Sequence, residues 1–131
     1  MKRNKILISL ALVVLLASVL ACTIGSSGGG NTSPEPMPGL AGKWRDVYEG
    51  TVHTIVWTGT TYKVTSSVND ESGRYEILSE EWDGNTFTFV YRVPDGADVT
   101  IECVSVRGDE LDVNWWSTNG NSGEDVFYRE P

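Results

Sequence analysis

The sequence is poor in the residues on which most catalytic and metal sites depend. Among 131 residues it has a single histidine, His53, and two cysteines, Cys22 and Cys103. A zinc site needs several histidine, cysteine or carboxylate ligands, and a Ser–His–Asp or Cys–His site needs a histidine beside its nucleophile. The chain also has no glycine-rich loop of the phosphate-binding type. We therefore expect no metal, no cofactor and no enzymatic activity.

Basic residues are scarce as well. Ten lysines and arginines face eighteen aspartates and glutamates, which gives a formal net charge of −8. Three of the basic residues, Lys2, Arg3 and Lys5, lie at the start of the chain, and without them the net charge is −11. Because a chain this acidic repels phosphate backbones, we expect no nucleic-acid partner.

Helical periodicity is missing after Gly39. No window of about a dozen residues sustains an apolar stripe with the helical period, whereas apolar residues recur at every second position of several segments. The alternation is clearest in residues 61–68, 86–93 and 110–116. Glycine, asparagine and aspartate cluster between these segments, as tight hairpin turns require. The pattern predicts strands with one buried and one solvated face.

These strands predict an all-β domain over residues 40–131. All the connections are too short for parallel crossovers, so the strands are antiparallel and follow one another as an up-and-down meander. Such a meander buries its apolar face by forming a closed or nearly closed barrel, or by folding into a sandwich. Pairing of the first strand with the last removes both exposed edges. The pattern gives about eight strands, near 43–48, 52–58, 61–68, 74–82, 86–93, 98–107, 110–117 and 124–130.

The amino terminus has the composition of an export signal. Basic residues precede the apolar run 6–20, and the run ends in Val19-Leu20-Ala21-Cys22. This segment resembles the signal peptide and lipobox of bacterial lipoproteins. The resemblance implies that residues 1–21 are removed and that Cys22 carries fatty acids such as palmitate. It places the protein in the cell envelope, at the outer membrane if the organism has one and otherwise on the outer face of the plasma membrane.

The segment that follows is rich in glycine, serine, proline and asparagine, with almost nothing apolar to bury. This composition is typical of a flexible linker. We therefore interpret residues 22–39 as the lipidated cysteine and a tether between the membrane and the β-domain.

Two positions in the domain carry a second resemblance. Gly42-Lys43-Trp44 opens the first predicted strand, and Arg129 lies near the end of the last. The arrangement resembles lipocalins, whose up-and-down barrel begins with Gly-x-Trp and places a late basic residue over that tryptophan. The resemblance implies that Trp44 plugs the barrel under Arg129, and a guanidinium stacks well on an indole. The tight connection at Glu49–Thr51 and the lack of a carboxyl-terminal helix depart from the lipocalin pattern.

Aromatic residues are the candidates for recognition. Phe89 and Tyr91 lie on the inward-facing side of the predicted strand 86–93. They would line a cavity if the barrel carried a small apolar ligand. Trp115 and Trp116 are consecutive and must point to opposite faces, and Trp82 is out of phase with its strand. We expect a filled or narrowly open interior, with recognition on the outer wall around Trp82 or Trp116.

The remaining candidates have structural explanations. Cys103 shares the parity of apolar neighbours and is predicted to be a core residue. His53 is predicted to be a hydrogen-bonded structural histidine. Glu80 and Glu81 are consecutive on a strand, so they cannot jointly hold one substrate. The polar loop 119–125 lacks the ligand spacing of a calcium loop.

Together these features favour a non-enzymatic, lipid-anchored envelope protein with a binding or structural role. The alternative is a surface-binding module that recognises a glycan or another protein through exposed tryptophans. A small apolar ligand, a glycan and an envelope protein all remain open as partners beside the membrane.

Overall fold

A computed structural model describes residues 33–131, and this part of the chain contains nine β-strands and no helix. Neighbouring strands are antiparallel throughout, in the order β4-β3-β2-β1-β9-β8-β7-β6-β5. The strands are β1 Gly42–Asp46, β2 Thr51–Trp57, β3 Tyr62–Asn69, β4 Gly73–Arg74, β5 Glu76–Trp82, β6 Phe87–Arg92, β7 Asp98–Arg107, β8 Glu110–Ser117 and β9 Ser122–Arg129. The predicted all-β antiparallel meander is confirmed. It has nine strands rather than about eight because the predicted strand 74–82 divides at Tyr75.

The sheet is curved so that β1 and β9, the first and last strands in the sequence, lie side by side. β1 pairs with β9, with Trp44 opposite Arg129 and Arg45 opposite Tyr128. This is the pairing predicted from the need to remove edges, and it leaves only β4 and β5 at the ends of the sheet. The result is a nearly closed barrel. In residues 33–131 no helix is long and apolar enough to span a membrane.

One side chain bridges the seam that remains between β3 and β5. These strands do not pair in the sheet, although Tyr75, just before β5, donates its backbone N–H to the Ser67 carbonyl at 2.8 Å. Further along, Glu80 on β5 reaches across to β3. Its Oε1 accepts the backbone N–H of Val64 at 2.8 Å, and its Oε2 lies 2.8 Å from Lys63 Nζ. A carboxylate therefore replaces the backbone acceptor that a paired strand would supply.

A β-bulge in β5 makes this bridge possible. The register between β5 and β6 shifts between Ile77 and Ser79, so Glu80 and Trp82 face the same side as Ile77. Trp82 is partly buried, and its ring centroid lies 5.1 Å from that of Tyr62. In the sequence Trp82 is out of phase with Ile77 because the alternation of apolar residues does not reveal the additional residue of the bulge.

Most of the barrel interior is filled by its own side chains. Aromatic rings dominate it, and they contact one another in tilted or stacked arrangements. Cys103 is completely buried, as predicted, and burial raises the pKa of its thiol. The most deeply buried large side chains are Trp44, Tyr62, Tyr91, Phe87, Phe89 and Phe127.

The end of the predicted tether contacts the barrel. Glu35 accepts the backbone N–H of Ala41 at 2.6 Å and the hydroxyl of Tyr62 at 3.1 Å. Met37 packs against the core, and Trp57 donates its indole N–H to the Ser33 carbonyl at 2.9 Å. Residues 33–39 therefore cover one end of the barrel. The predicted signal peptide 1–21 and Cys22 lie outside the described residues.

Candidate ligand site at the open end of the barrel

A tryptophan and an arginine occupy one end of the barrel. The guanidinium carbon of Arg129 lies 4.2 Å from the ring centroid of Trp44, and the Trp44 indole N–H donates to the Leu40 carbonyl at 2.7 Å. Gly42 has a φ of 147°, and a Cβ there would lie 2.5 Å from a guanidinium nitrogen of Arg129. The glycine of the Gly-x-Trp motif thus has a local explanation, because a side chain there would be strained by the positive φ and would displace the Arg129 guanidinium from its position over Trp44. We call Trp44 and Arg129 the plug.

The opposite end is open. β9 runs from this end, at Glu124, to the plug at Arg129, and three turns surround a cleft of about 380 Å³. That volume lies at the lower end of the range typical of small-molecule sites. We call this the open-end cleft, and it is lined by Asp46, Tyr48, Glu49, Tyr91, Val93, Asp95, Ala97, Val99, Ile101, Trp115, Ser117, Asn119, Asn121, Glu124, Asp125 and Phe127.

The floor of the cleft is apolar and aromatic. Tyr91, Ile101 and Phe127 are almost completely buried, whereas Trp115 is partly exposed to the cleft. All four lie on the inward faces of β6, β7, β8 and β9, where alternation places them together. The cleft is therefore the point at which the barrel core becomes accessible to solvent.

The rim of the cleft is acidic. Five carboxylates line it, and the lining includes no lysine, arginine or histidine. The ion pairs in the described part of the chain engage other acids, such as Asp70, Glu80 and Asp112. The five unneutralised carboxylates belong to Asp46, Glu49, Asp95, Glu124 and Asp125.

These carboxylates affect one another. Burial raises the pKa of Asp46, the N–H groups of Glu49 and Tyr48 oppose this rise, and the charge of Asp125 adds to it. Burial also raises the pKa of Glu49, and the charges of Asp46, Asp95 and Asp125 raise it further. Like charges therefore share a confined space, and a cation placed among them would relieve the repulsion.

Two polar groups below the rim have unused hydrogen-bonding capacity. Tyr91 is 1 % exposed and lines the cleft, yet its hydroxyl makes no hydrogen bond to another described residue. Beneath it, His53 is fully buried with its ring 5.2 Å from that of Tyr91. His53 Nδ1 lies 2.7 Å from the Ser67 hydroxyl, whereas its Nε2 has no partner among the described residues. Burial lowers the pKa of His53 to about 3, so the ring is neutral.

The aromatic residues singled out from the sequence lie in different places. Tyr91 lines the open-end cleft, whereas Phe89 is buried behind it and contacts His53 at 5.1 Å between ring centroids. Trp116 is 43 % exposed on the outer wall, and Trp82 packs near the plug end against Tyr62. The structure therefore does not bring these four residues into one site.

The acidic rim was missed from the sequence. Its members come from separate turns and strand ends, and only the barrel topology brings them together. A signal was nevertheless present, because Asp46 shares the inward parity of Trp44 and Asp125 shares that of Phe127. A carboxylate at an inward-facing position near a strand end indicates that this end of the barrel is open to solvent. Within residues 33–131, no three acidic, histidine or cysteine side chains converge as a metal site.

The outer wall carries a second depression. A groove of about 510 Å³ runs over β8 and β9 under the β1–β2 turn. Its exposed apolar residues are Val47, Tyr48, Val104 and Tyr128, with Tyr48 85 % exposed.

Comparisons of the chain with protein-family models, curated proteins and solved structures found no match. The lipoprotein and lipocalin resemblances therefore rest on the lipobox ending at Cys22, on Trp44 and Arg129, and on the barrel topology.

Proposed function

We propose that this protein is a lipid-anchored, non-enzymatic binding protein of the cell envelope whose barrel takes a small ligand at its open end. The lipobox at Val19–Cys22 supports the anchor, and two or more acyl chains give stable membrane attachment. The anchor places the protein at the outer membrane if the organism has one, and otherwise on the outer face of the plasma membrane.

The open-end cleft is the observation that carries the binding role. It combines a volume of about 380 Å³ with an apolar floor and a few convergent polar groups, the usual composition of a ligand site. The packed rings of Phe87 and Phe89 fill the interior behind the floor. The cleft therefore suits a compact ligand rather than a long acyl chain threaded through the barrel.

Binding rather than catalysis is supported by the state of the two most reactive side chains in the domain. His53 is buried, and its lowered pKa of about 3 removes it from proton transfer near neutral pH. Cys103 is buried and its pKa is raised, which disfavours the thiolate that acts as a nucleophile.

The binding role is tested with N-phenyl-1-naphthylamine, a neutral dye whose fluorescence rises in apolar sites. The protein is the mature chain, residues 22–131, with Cys22→Ser so that no lipid competes for the dye. We expect a saturable fluorescence increase that Ala97→Phe abolishes, because Ala97 lines the cleft and a phenyl ring would fill it. Trp116→Ala on the outer wall is the control, and it should leave dye binding unchanged.

The second candidate is surface recognition of a glycan or protein through Trp116. Its support is the 43 % exposure of an indole on a solvated strand face, since a ring in that position can stack on a sugar. The same two variants separate the candidates. Binding that survives Ala97→Phe and is lost in Trp116→Ala would favour the outer wall over the cleft.

A further inference from the structure

We propose that the ligand of the open-end cleft is a small organic cation, an ammonium group carried on an apolar body. The inference rests on the proposed binding function and names the chemical class that the cleft selects. The charge of the rim, the spacing of its carboxylates and the aromatic floor support it independently.

The charge of the rim selects the sign of the ligand. Five carboxylates line the cleft without a basic residue among its lining, and none of them joins an ion pair within residues 33–131. Elsewhere on the barrel, acids such as Asp98 and Asp112 are neutralised by Arg92 and Arg107 at 2.8 Å. The cleft is thus an acidic site without a counterion, and its walls concentrate the field on a bound ligand.

The spacing of the carboxylates selects an organic cation rather than a metal ion. Calcium needs six or more oxygens at about 2.3–2.6 Å, and magnesium needs a tight octahedron. Within the described residues no three acidic, histidine or cysteine side chains converge in that way. An ammonium group needs only a few hydrogen-bond acceptors, and carboxylates around a rim can provide them without converging on one point.

The floor selects the body of the ligand. Trp115 and Phe127 both line the cleft, and aromatic rings attract both apolar groups and cations. The Tyr91 side chain is 1 % exposed and lines the cleft, and its hydroxyl makes no hydrogen bond within residues 33–131, so a donor group on the ligand could bond to it. A ligand with an ammonium head and a phenyl or alkyl body matches both the acidic rim and the apolar floor of the cleft.

The test uses three compounds that share one body and differ in charge: 4-phenylbutylamine, 4-phenylbutan-1-ol and 4-phenylbutanoate. Each is titrated calorimetrically at pH 7 and low salt into the mature chain carrying Cys22→Ser. We expect the amine to bind at least about tenfold more tightly than the alcohol, a difference of about 1.4 kcal/mol. We expect no measurable binding of the carboxylate, because like charges would be forced together.

Matched variants locate the source of this preference. The double variant Glu49→Gln with Asp125→Asn removes two rim charges, and it should bring amine affinity close to that of the alcohol. Glu71→Gln removes a charge from the exposed β3–β4 turn, outside the cleft lining, and should keep the preference. Circular dichroism spectra that match the parent spectrum establish that each variant is folded.

Three sets of results overturn the inference. If the alcohol binds as tightly as the amine, and Ala97→Phe abolishes both, the cleft binds ligands without selecting charge and only the binding function stands. If neither compound binds and the neutral dye does not bind either, the proposed function fails as well. The preference for the amine could also survive the double variant, or Glu71→Gln could abolish it equally. Either result would mean that the preference arises from the overall charge of the protein and not from the rim of the cleft.

Discussion

Arg129 holds Trp44 in place from the other end of the chain. Its guanidinium lies 4.2 Å from the indole centroid, and it also donates to the Gly39 carbonyl at 2.7 Å. One side chain therefore joins the last strand, the first strand and the segment that precedes the barrel. This contact closes one end of the barrel and leaves the other end as the accessible route to the core.

Replacing Trp44 with alanine should strongly destabilise the domain. The side chain is completely buried, so its loss creates a cavity and should cost about 3–5 kcal/mol of unfolding free energy. Urea denaturation of the variant against the parent measures the change. Trp44→Phe keeps a ring under Arg129 and should cost less. A loss below about 1 kcal/mol for the alanine variant would mean that the plug contributes little to stability.

Glu80 should control local opening of the seam. Glu80→Ala removes the acceptor of the Val64 N–H, and a buried unsatisfied donor costs about 1–3 kcal/mol. We expect faster hydrogen exchange at the Val64 amide. Glu80→Gln, which keeps an oxygen acceptor, should largely preserve its protection. Glu81→Ala alters the exposed neighbouring acid and is the matched control. Equal protection of Val64 in both alanine variants would show that the seam is held by other contacts.

His53 should make the fold sensitive to mild acid. Its pKa is about 3 in the folded protein and 6.5 as the ordinary value, so below pH 6.5 the unfolded chain binds a proton that the folded chain does not. The stability that the neutral His53 contributes to the folded protein is complete above pH 6.5. It is lost as the pH falls toward 3, by about 1.4 kcal/mol of unfolding free energy per pH unit.

Between pH 7 and 5, the parent should therefore lose about 2 kcal/mol more unfolding free energy than His53→Asn. The comparison cancels the titration of the carboxylates that both proteins share. Denaturant melts at the two pH values provide the measurement. Parallel losses in parent and variant would show that His53 is accessible to protons in the folded state.

The architecture was predictable because alternation, short turns and the need to pair edges all act locally or through topology. The positions of Glu80 and Trp82 were not predictable, since a single bulge between Ile77 and Ser79 reverses the face of every later residue in the strand. The open-end cleft was not predictable for a different reason. Its acids lie in turns far apart in sequence, and their proximity depends on how far the sheet curls.

The proposed lipid anchor has a direct test in Cys22→Ser. Without the thiol neither acylation nor the associated cleavage takes place, so we expect an unprocessed or unanchored protein with an intact barrel. Fractionation of cells that express parent or variant, followed by mass determination of the product, measures this. A Cys22→Ser protein that is processed normally and stays with the lipid fraction would contradict the lipobox interpretation.

Ligand binding at the open end is tested most directly by the indole N–H resonances of the five tryptophans during titration with 4-phenylbutylamine. Trp115 lines the cleft, Trp44 lies in the plug and Trp116 faces the outer wall, so the three report on different surfaces. We predict a saturable shift of the Trp115 signal with little change at Trp44 and Trp116. A shift at Trp116 while Trp115 stays fixed, or no shift at any tryptophan, would contradict a ligand site in the barrel.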